Sequence, residues 1–264
     1  MSTPRTTDTL GAGTPAKPAS WLAMTWALTV NELRVAARRG ENLLVTFVIP
    51  AGVLLVFSAF DMTGATGTGT PVDRMLPGSI ALAVIAAAMV SLAIATAFDR
   101  SYGVIKRLGG SPAGASAVVA SKTMGVIVIE VVQTLLLVGL ATALGWTAGP
   151  GASVLLVIAG LVLGTVAFAG LGLLMAGTLR AEAVLALANL LFLLSLVLGG
   201  IVMPLDKLPG AMATVASGLP PAALAHVLAI GLGGGGGDAT EPLIILAGWA
   251  VVLGGLAARK FRWD

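Results

Sequence analysis

The residues best equipped for chemistry sit in one short polar run: Asp99, Arg100, Tyr102, Gly103, Lys106, Arg107 and Leu108, closed by Pro112. Wound as a helix at about 100° per residue, Asp99 to Leu108 put Tyr102, Val104, Ile105 and Leu108 on one broad face. Asp99, Arg100, Lys106 and Arg107 then share the opposite arc, and Gly109, Gly110 and Pro112 end the helix. An amphipathic helix of this kind can press into a groove on a partner protein and pass a push to the segments it joins. It can equally be a surface helix with no partner, and the residues alone leave both open.

Groups for covalent or metal chemistry are scarce. The chain has no cysteine, so it can form no disulfide, thiolate metal site or cysteine nucleophile. Its one histidine, His226, has no His, Asp or Glu cluster in sequence reach and is not read as a metal ligand. Lys122 and Thr123 look like the end of a phosphate-binding loop, but the glycines that motif needs at 116 and 121 are Ser116 and Ser121. The glycine run at 231–237 is followed by no Gly-Lys-Ser/Thr and reads as a flexible loop. Paired carboxylates, Ser with a His or Lys partner and His–Glu metal spacing are all missing from the apolar segments, which argues against an intramembrane enzyme.

One carboxylate stands apart. Glu130 lies in a long apolar stretch, with Gln133 about one helical turn on. An acid there costs about 2.5–3.5 kcal/mol on insertion scales if it lies near the centre of a membrane helix. It is either a substrate-path or proton-relay group, or one half of an interhelical hydrogen bond. Further along, Asn189, Ser195, Gly199 and Gly200 are small or polar positions in an apolar stretch, suited to a path or interface, or simply to close helix packing.

The elements that must hold these residues follow from composition. The chain is 57% hydrophobic and 10% charged, against about 25% charged for a typical soluble domain. It lacks the polar surface to cover a water-soluble fold, and the bilayer is the solvent that fits. With about 20 apolar residues needed per crossing, six spans emerge: Asn42–Phe60, Met75–Phe98, Thr123–Gly145, Ser153–Gly177, Ala183–Pro204 and Pro242–Ala258. The expected fold is an all-α integral membrane protein. Outside the spans, thirteen Lys and Arg fall on one side and two, Arg74 and Lys207, on the other. That bias puts the richer side, with both termini, in the cytoplasm. The net charge of +3 comes from this bunching and points to topology, not nucleic acid.

Three pieces lie outside the spans. Residues 1–19 read as a disordered tail, leaving 20–264 as one transmembrane domain. Trp21–Arg39 reads as a helix with Leu22, Trp26, Val30 and Leu33 on one face and Trp21, Met24 and Leu28 on a second strip. It is either an interfacial helix on the inner leaflet or a plain leader into the first span. Ala211–Ile230, broken by Pro220 and Pro221, reads as a partly re-entrant outer hairpin before the last span.

The pattern Asp99, Arg100, Gly103, Lys106, Leu108 and Ser111-Pro112 resembles the loop motif of ABC-2 type transporter permeases, with Asp99 where that motif more often has Glu. Gly199-Gly200 and Met203-Pro204, then Leu208-Pro209 and Leu219-Pro220, are similar to the family's fifth-span exit and outer hairpin. The resemblance covers nearly all of the chain after residue 20; the glycine run at 231–237 is outside it. It implies a half-transporter that pairs with a second permease, a copy or a paralogue. Each permease would dock a separate ATPase subunit, which binds ATP and Mg; this chain itself holds no cofactor. Asp99–Pro112 would be the coupling helix seated on that ATPase, aided by Trp21–Arg39. The fifth span, with Asn189, Ser195, Gly199 and Gly200, would lie near the dimer interface and export path. The implied cargo is a hydrophobic or amphiphilic molecule, a drug or antibiotic first and a lipid-linked glycan second, moved out across the cell membrane. The competing reading is an ion- or proton-coupled secondary transporter centred on Glu130; such proteins usually carry internal repeats, and none is evident here.

Overall fold

The computed structural model describes residues 20–38, 40–60, 69–109, 114–201 and 205–260. The tail 1–19, Arg39, Gly110, Pro112 and the Met203-Pro204 pair lie outside the described residues, as does the side chain of Leu108.

All described secondary structure is helical. The chain is built of α1 (Trp21–Arg38), α2 (Gly40–Phe60), α3 (Pro71–Val84), a π-helical segment Ile85–Ser91, α4 (Leu92–Ser101), the short α5 (Val104–Gly109), α6 (Gly114–Ala143), α7 (Val154–Thr178), α8 (Ala181–Leu198), α9 (Gly210–Ser217), α10 (Pro220–Gly231) and α11 (Thr240–Lys260). The segment α3–π–α4 forms one continuous rod, Pro71–Ser101. That rod, most of α6, and α7, α8 and α11 are each long and apolar enough to cross a bilayer. They bear out the second to sixth expected spans. The first is α2, of which the stretch Thr46–Phe60 is apolar. The whole 21-residue helix rises about 31 Å at 1.5 Å per residue.

Contacts between loops define the two ends of the bundle. At one end, Lys122 of α6 meets Asp99 of α4 and Glu32 of α1, and Arg100 reaches Leu179 at the close of α7. At the other, Ser153 N–H donates to Gly231 O at 2.8 Å and Gly149 N–H to Leu232 O at 3.2 Å. Consecutive spans therefore run antiparallel, and α2 must carry the chain from the first end to the second. The first end gathers Arg34, Arg38, Lys106, Arg107, Arg180, Arg259 and Lys260 and is called the basic end below.

Several boundaries differ from expectation. The third span begins early, because Gly114 starts a helix that runs unbroken to Ala143 and takes Lys122 inside it. The fifth ends early, at Leu198, where Gly199 and Gly200 turn the chain; Gly200 has φ +67°, which favours glycine. The glycine run folds back as the end of α10: Gly234 N–H and Gly235 N–H both donate to Ala229 O. Gly233, at φ +80°, packs backbone against backbone on Gly149.

Helix packing uses small residues for close approach, as expected where lipid supplies no hydrophobic drive between helices. Gly160 and Gly164 of α7 face Val227, Leu228 and Leu224 of α10. Their Gly-x-x-x-Gly spacing thus serves packing within one chain. Deeper on α7, a Cβ at Gly170 would lie 2.7 Å from Gly254 N of α11, whereas a Cβ at Gly254 would meet only Val166, at 3.6 Å. Gly170→Ala is therefore expected to cost about 1–3 kcal/mol by forcing two backbones apart. Gly254→Ala should be near neutral. A thermal-denaturation comparison of the two in detergent checks the asymmetry.

The segment expected to form a re-entrant hairpin is the helix pair α9 and α10, bent by 73°. Trp249 of α11 pins the bend by donating its indole N–H to Gly218 O at 2.8 Å. Pro220 and Pro221 start α10, where missing amide hydrogens cost nothing. Its buried face, including Leu224, Val227 and Leu228, packs into the bundle against α7.

Candidate functional site at the basic end

The polar run that begins at Asp99 is built differently from what its periodicity implies. Asp99 and Arg100 are not on a loop helix; they are the last turn of the α4 rod, which ends at Ser101. Tyr102 and Gly103 then turn the chain, Gly103 at φ +69°. A side chain with a Cβ rarely takes that conformation, so the helix expected over Asp99–Leu108 breaks there. The loop helix proper is α5, Val104–Gly109.

This break sorts the expected site residues into two sets. Asp99 and Arg100 turn inward. Asp99 accepts from Lys122 Nζ at 2.5 Å, and Lys122 also reaches Glu32 of α1 at 2.8 Å. Arg100 donates through Nη2 to Leu179 O at 2.6 Å, satisfying the carbonyl left over where α7 ends. These two residues hold the frame. Lys106 and Arg107 are exposed on α5, while Ile105, at 2% exposure, anchors it to the bundle. Tyr102, placed by periodicity with the apolar face, is 68% exposed and stacks on Phe98 with ring centroids 6.0 Å apart. Arg107 also donates to Tyr102 O at 3.3 Å.

The Lys122 triad is the most organised electrostatic feature of this end. The Lys122 side chain is 5% exposed and its two carboxylates are 32% exposed. One cation therefore joins three elements: α1, the end of the α4 rod and the start of α6. In the sequence Lys122 stands out only as a loop cation beside an incomplete phosphate-loop motif, and Glu32 not at all. The signal for both was their placement near the ends of adjoining helices, which spacing along the chain does not display.

The N-terminal helix packs through polar residues. Thr25 and Thr29, one turn apart, are its buried positions, and Thr29 donates its hydroxyl to Thr25 O. Trp21 reaches Ser116 through its indole N–H at 3.3 Å. Leu22 and Trp26 are exposed. The helix thus lies along the start of α6 with an aromatic and apolar strip left free for the membrane interface.

The span residues expected to line a path do not converge. Glu130 and Gln133, each 4% exposed, lie near the middle of α6. The Thr165 hydroxyl of α7 meets Glu130 Oε2 at 2.6 Å and Leu161 O at 2.7 Å. Among the described residues, Glu130 Oε1, both amide atoms of Gln133 and Thr134 Oγ1 find no partner. The interhelical bond offered as the plain explanation of Glu130 is therefore present. Asn189 is exposed on α8 and donates back to Leu185 O. Ser195 is buried and donates to Leu191 O. Gly199 and Gly200 line a cavity of about 470 Å³ at the opposite end of the bundle, together with Arg74, His226 and Glu241. Among the described residues no group of three His, Cys, Asp or Glu could hold a metal ion.

The π-helical segment was not foreseen either. Its backbone carbonyls at Ala88 and Met89 approach Gly172 of α7, where a Cβ would sit 2.9 Å from Met89 O. The run Ala86, Ala87 and Ala88 keeps the widened turn narrow enough to pack.

The described residues form a multi-pass helical bundle with a short anchored helix at its basic end. The family model of the ABC-2 type transporter matches residues 24–230, from α1 through most of α10. No curated protein matches the chain. On the strength of that match over most of its length, the chain belongs to the ABC-2 type transporter family and is a membrane permease of that kind.

Proposed function

We propose that the chain is the permease half of an ATP-driven exporter, with α5 as the helix that receives force from a separate ATPase subunit. The observation that carries this reading is the construction around α5. Two exposed cations, Lys106 and Arg107, stand on a helix of six residues. That helix hangs between two spans whose ends are tied by the Lys122 triad and the Arg100–Leu179 bond. A push on α5 would reach the α4 rod and α6 at once, and α1 through Glu32. The thirteen-to-two distribution of Lys and Arg supports placing this end, and both termini, in the cytoplasm of a cell-membrane protein.

Two permeases, identical or paralogous, would pair with α8 near the interface. That span is 22% buried over its apolar window, the least of the five, and presents Asn189 on an exposed face. ATP and Mg would be bound by the ATPase partner alone. The cargo would be a hydrophobic or amphiphilic molecule taken from the inner leaflet, with a drug or antibiotic ahead of a lipid-linked glycan. The test is efflux of a fluorescent amphiphile from cells holding the chain and its ATPase. ATP depletion should stop it, and an uncoupler at constant ATP should not.

The second reading, a proton-coupled carrier, has the buried Glu130 in its favour. Glu130→Gln separates the two. The amide keeps an oxygen for the Thr165 hydroxyl, so exporter activity should stay within about twofold and stability within about 1 kcal/mol. Complete loss of transport by well-folded Glu130→Gln would favour the proton-coupled reading.

A further inference from the structure

Midway along α6, one turn carries more hydrogen-bonding capacity than the protein answers. Val126, Glu130, Gln133, Leu137 and Ala141 recur at helical spacing and are all buried, so this face of α6 is turned into the bundle. Two of its side chains are polar. Among the described residues, Glu130 Oε1, both amide atoms of Gln133 and the hydroxyl of the adjacent Thr134 find no partner, and each of these atoms is sealed from solvent. Residues three and four apart are neighbours on a helix surface, so Glu130 adjoins both Gln133 and Thr134.

Thr165 of α7 relieves only part of this. Its hydroxyl has one hydrogen but lies 2.6 Å from Glu130 Oε2 and 2.7 Å from Leu161 O. It can serve one of these two acceptors. Turning the Gln133 amide towards Glu130 would pair one N–H and still leave Gln133 Oε1 without a donor. Buried polar groups are almost always paired, through ordered water where no protein group reaches. Inside a bilayer the demand is stricter, because the lipid offers no partner at all.

The α3–π–α4 rod offers mostly alanine at this depth. The Asp99–Lys122 pair sets the register of the rod against the antiparallel α6. Glu130 lies eight residues beyond Lys122 and Ser91 eight before Asp99, each about 12 Å along its helix at 1.5 Å per residue. The turn Glu130–Thr134 is therefore level with the π-helical segment Ile85–Ser91, against which α6 packs. Ala86, Ala87 and Ala88 of that segment are short and have no hydrogen-bonding group in their side chains. A widened turn of the kind common at functional sites and a turn of unpaired polar groups thus share one depth.

The groups present select the ligand. A bare cation would answer the Glu130 carboxylate but oppose the Gln133 N–H groups, and an anion would oppose Glu130. Water both donates and accepts, and the turn offers it four polar atoms, as many partners as an enclosed water uses. We propose that the turn Glu130–Thr134 of α6 binds ordered, enclosed water that joins Glu130, Gln133 and Thr134. Such water re-forms its bonds when α6 shifts against α7 or the rod, so the span can move without stranding its carboxylate. Binding of water there is independent of the exporter reading.

Gln133 is the only glutamine in the chain, so an isotope label on the glutamine side-chain nitrogen reports this position alone. In the full chain in lipid nanodiscs, NMR should show cross-peaks from the labelled amide hydrogens to water. A water-soluble paramagnetic chelate should leave that signal unbroadened, because the residue is 4% exposed. Cross-peaks to protein or lipid methyl groups with none to water overturn the site. Broadening by the chelate also overturns it, by placing the amide in an open channel. As an independent arm, Gln133→Leu is expected to unfold at a temperature several degrees below wild type, since it takes two partner atoms from the water. Unfolding at or above the wild-type temperature contradicts the site, because apolar replacement of an amide that is simply unpaired is neutral or stabilising. The NMR arm uses the unmodified sequence and stands however the variant folds.

Discussion

Lys122→Met is expected to destabilise the folded chain by roughly 2–4 kcal/mol, since breaking a buried pair leaves charge without a partner. Lys122 has a 5% exposed side chain between Glu32 and Asp99, at 2.8 and 2.5 Å. Without the cation, two carboxylates face each other at the edge of an apolar bundle. Because those carboxylates are 32% exposed, water screens part of their repulsion, which keeps the cost below that of a fully buried triad. The charge arithmetic gives a sharper form of the prediction. A triple variant, Lys122→Met with Glu32→Gln and Asp99→Asn, removes the whole network and should regain most of the lost stability. It should not regain transport, because α1, the α4 rod and α6 would no longer move as one body. Thermal unfolding in detergent and vesicle transport read the two effects separately. Transport restored in the triple variant would show that the triad is a stability feature only.

The second large effect concerns function with the fold intact. Reversing both exposed cations of α5, Lys106→Glu with Arg107→Glu, is expected to lower substrate-stimulated ATP hydrolysis by about tenfold or more, the factor that 1.4 kcal/mol of lost docking energy represents. Like charges set against a complementary surface also slow encounter. Both side chains are exposed, so unfolding temperature should move by no more than a few degrees. Arg100→Ala is predicted to behave differently. It frees the Leu179 carbonyl and should cost about 1.5–3 kcal/mol, the range for a charge-assisted hydrogen bond. A stable Arg100→Ala chain with lost coupling, beside a fully coupled Lys106/Arg107 reversal, would exchange the roles assigned to these residues.

The spans were legible because their signal is additive: about twenty apolar residues outvote any single exception. The hairpin was legible for a similar reason, since Pro220, Pro221 and the nearby glycines forbid an unbroken crossing. The polar run Asp99–Leu108 was legible as a segment but not as a geometry. A period of 3.6 residues ranks faces of a helix that is assumed to continue, and it cannot register that Gly103 at φ +69° stops it. Asp99 and Arg100 were consequently grouped with Lys106 and Arg107, though they look inward and hold Lys122 and Leu179. In α1, Leu22 and Trp26, on the face the interfacial reading gives to the membrane, are exposed, while the face buried in the bundle is marked by Thr25 and Thr29, which the apolar pattern does not single out. A small polar residue that bonds within its own helix, as Thr29 does to Thr25 O, can pack closely, and a hydrophobic count misses it. The π-helical turn at Ile85–Ser91 left no mark in an alanine-rich run.

The family match and the geometry point in the same direction but rest on different grounds. The match covers residues 24–230 and establishes the class. The geometry accounts for how a small movement at the basic end would spread, since each tie there links helices that are distant in sequence: Glu32 to Lys122, Asp99 to Lys122, and Arg100 to Leu179. Rigid connection of this sort is a physical basis for coupling, which needs elements that shift together.

The most direct measurement exploits the absence of native cysteine. A single-cysteine chain, Lys106→Cys, would be expressed with its ATPase carrying one engineered surface cysteine in its docking groove, and treated with a short bifunctional thiol reagent. The account predicts a cross-linked permease–ATPase pair whose yield changes when ATP is added, and no labelling of Cys at that position by an impermeant maleimide applied to intact cells. Rapid labelling from outside intact cells, with no cross-link to the ATPase in either nucleotide state, would contradict it.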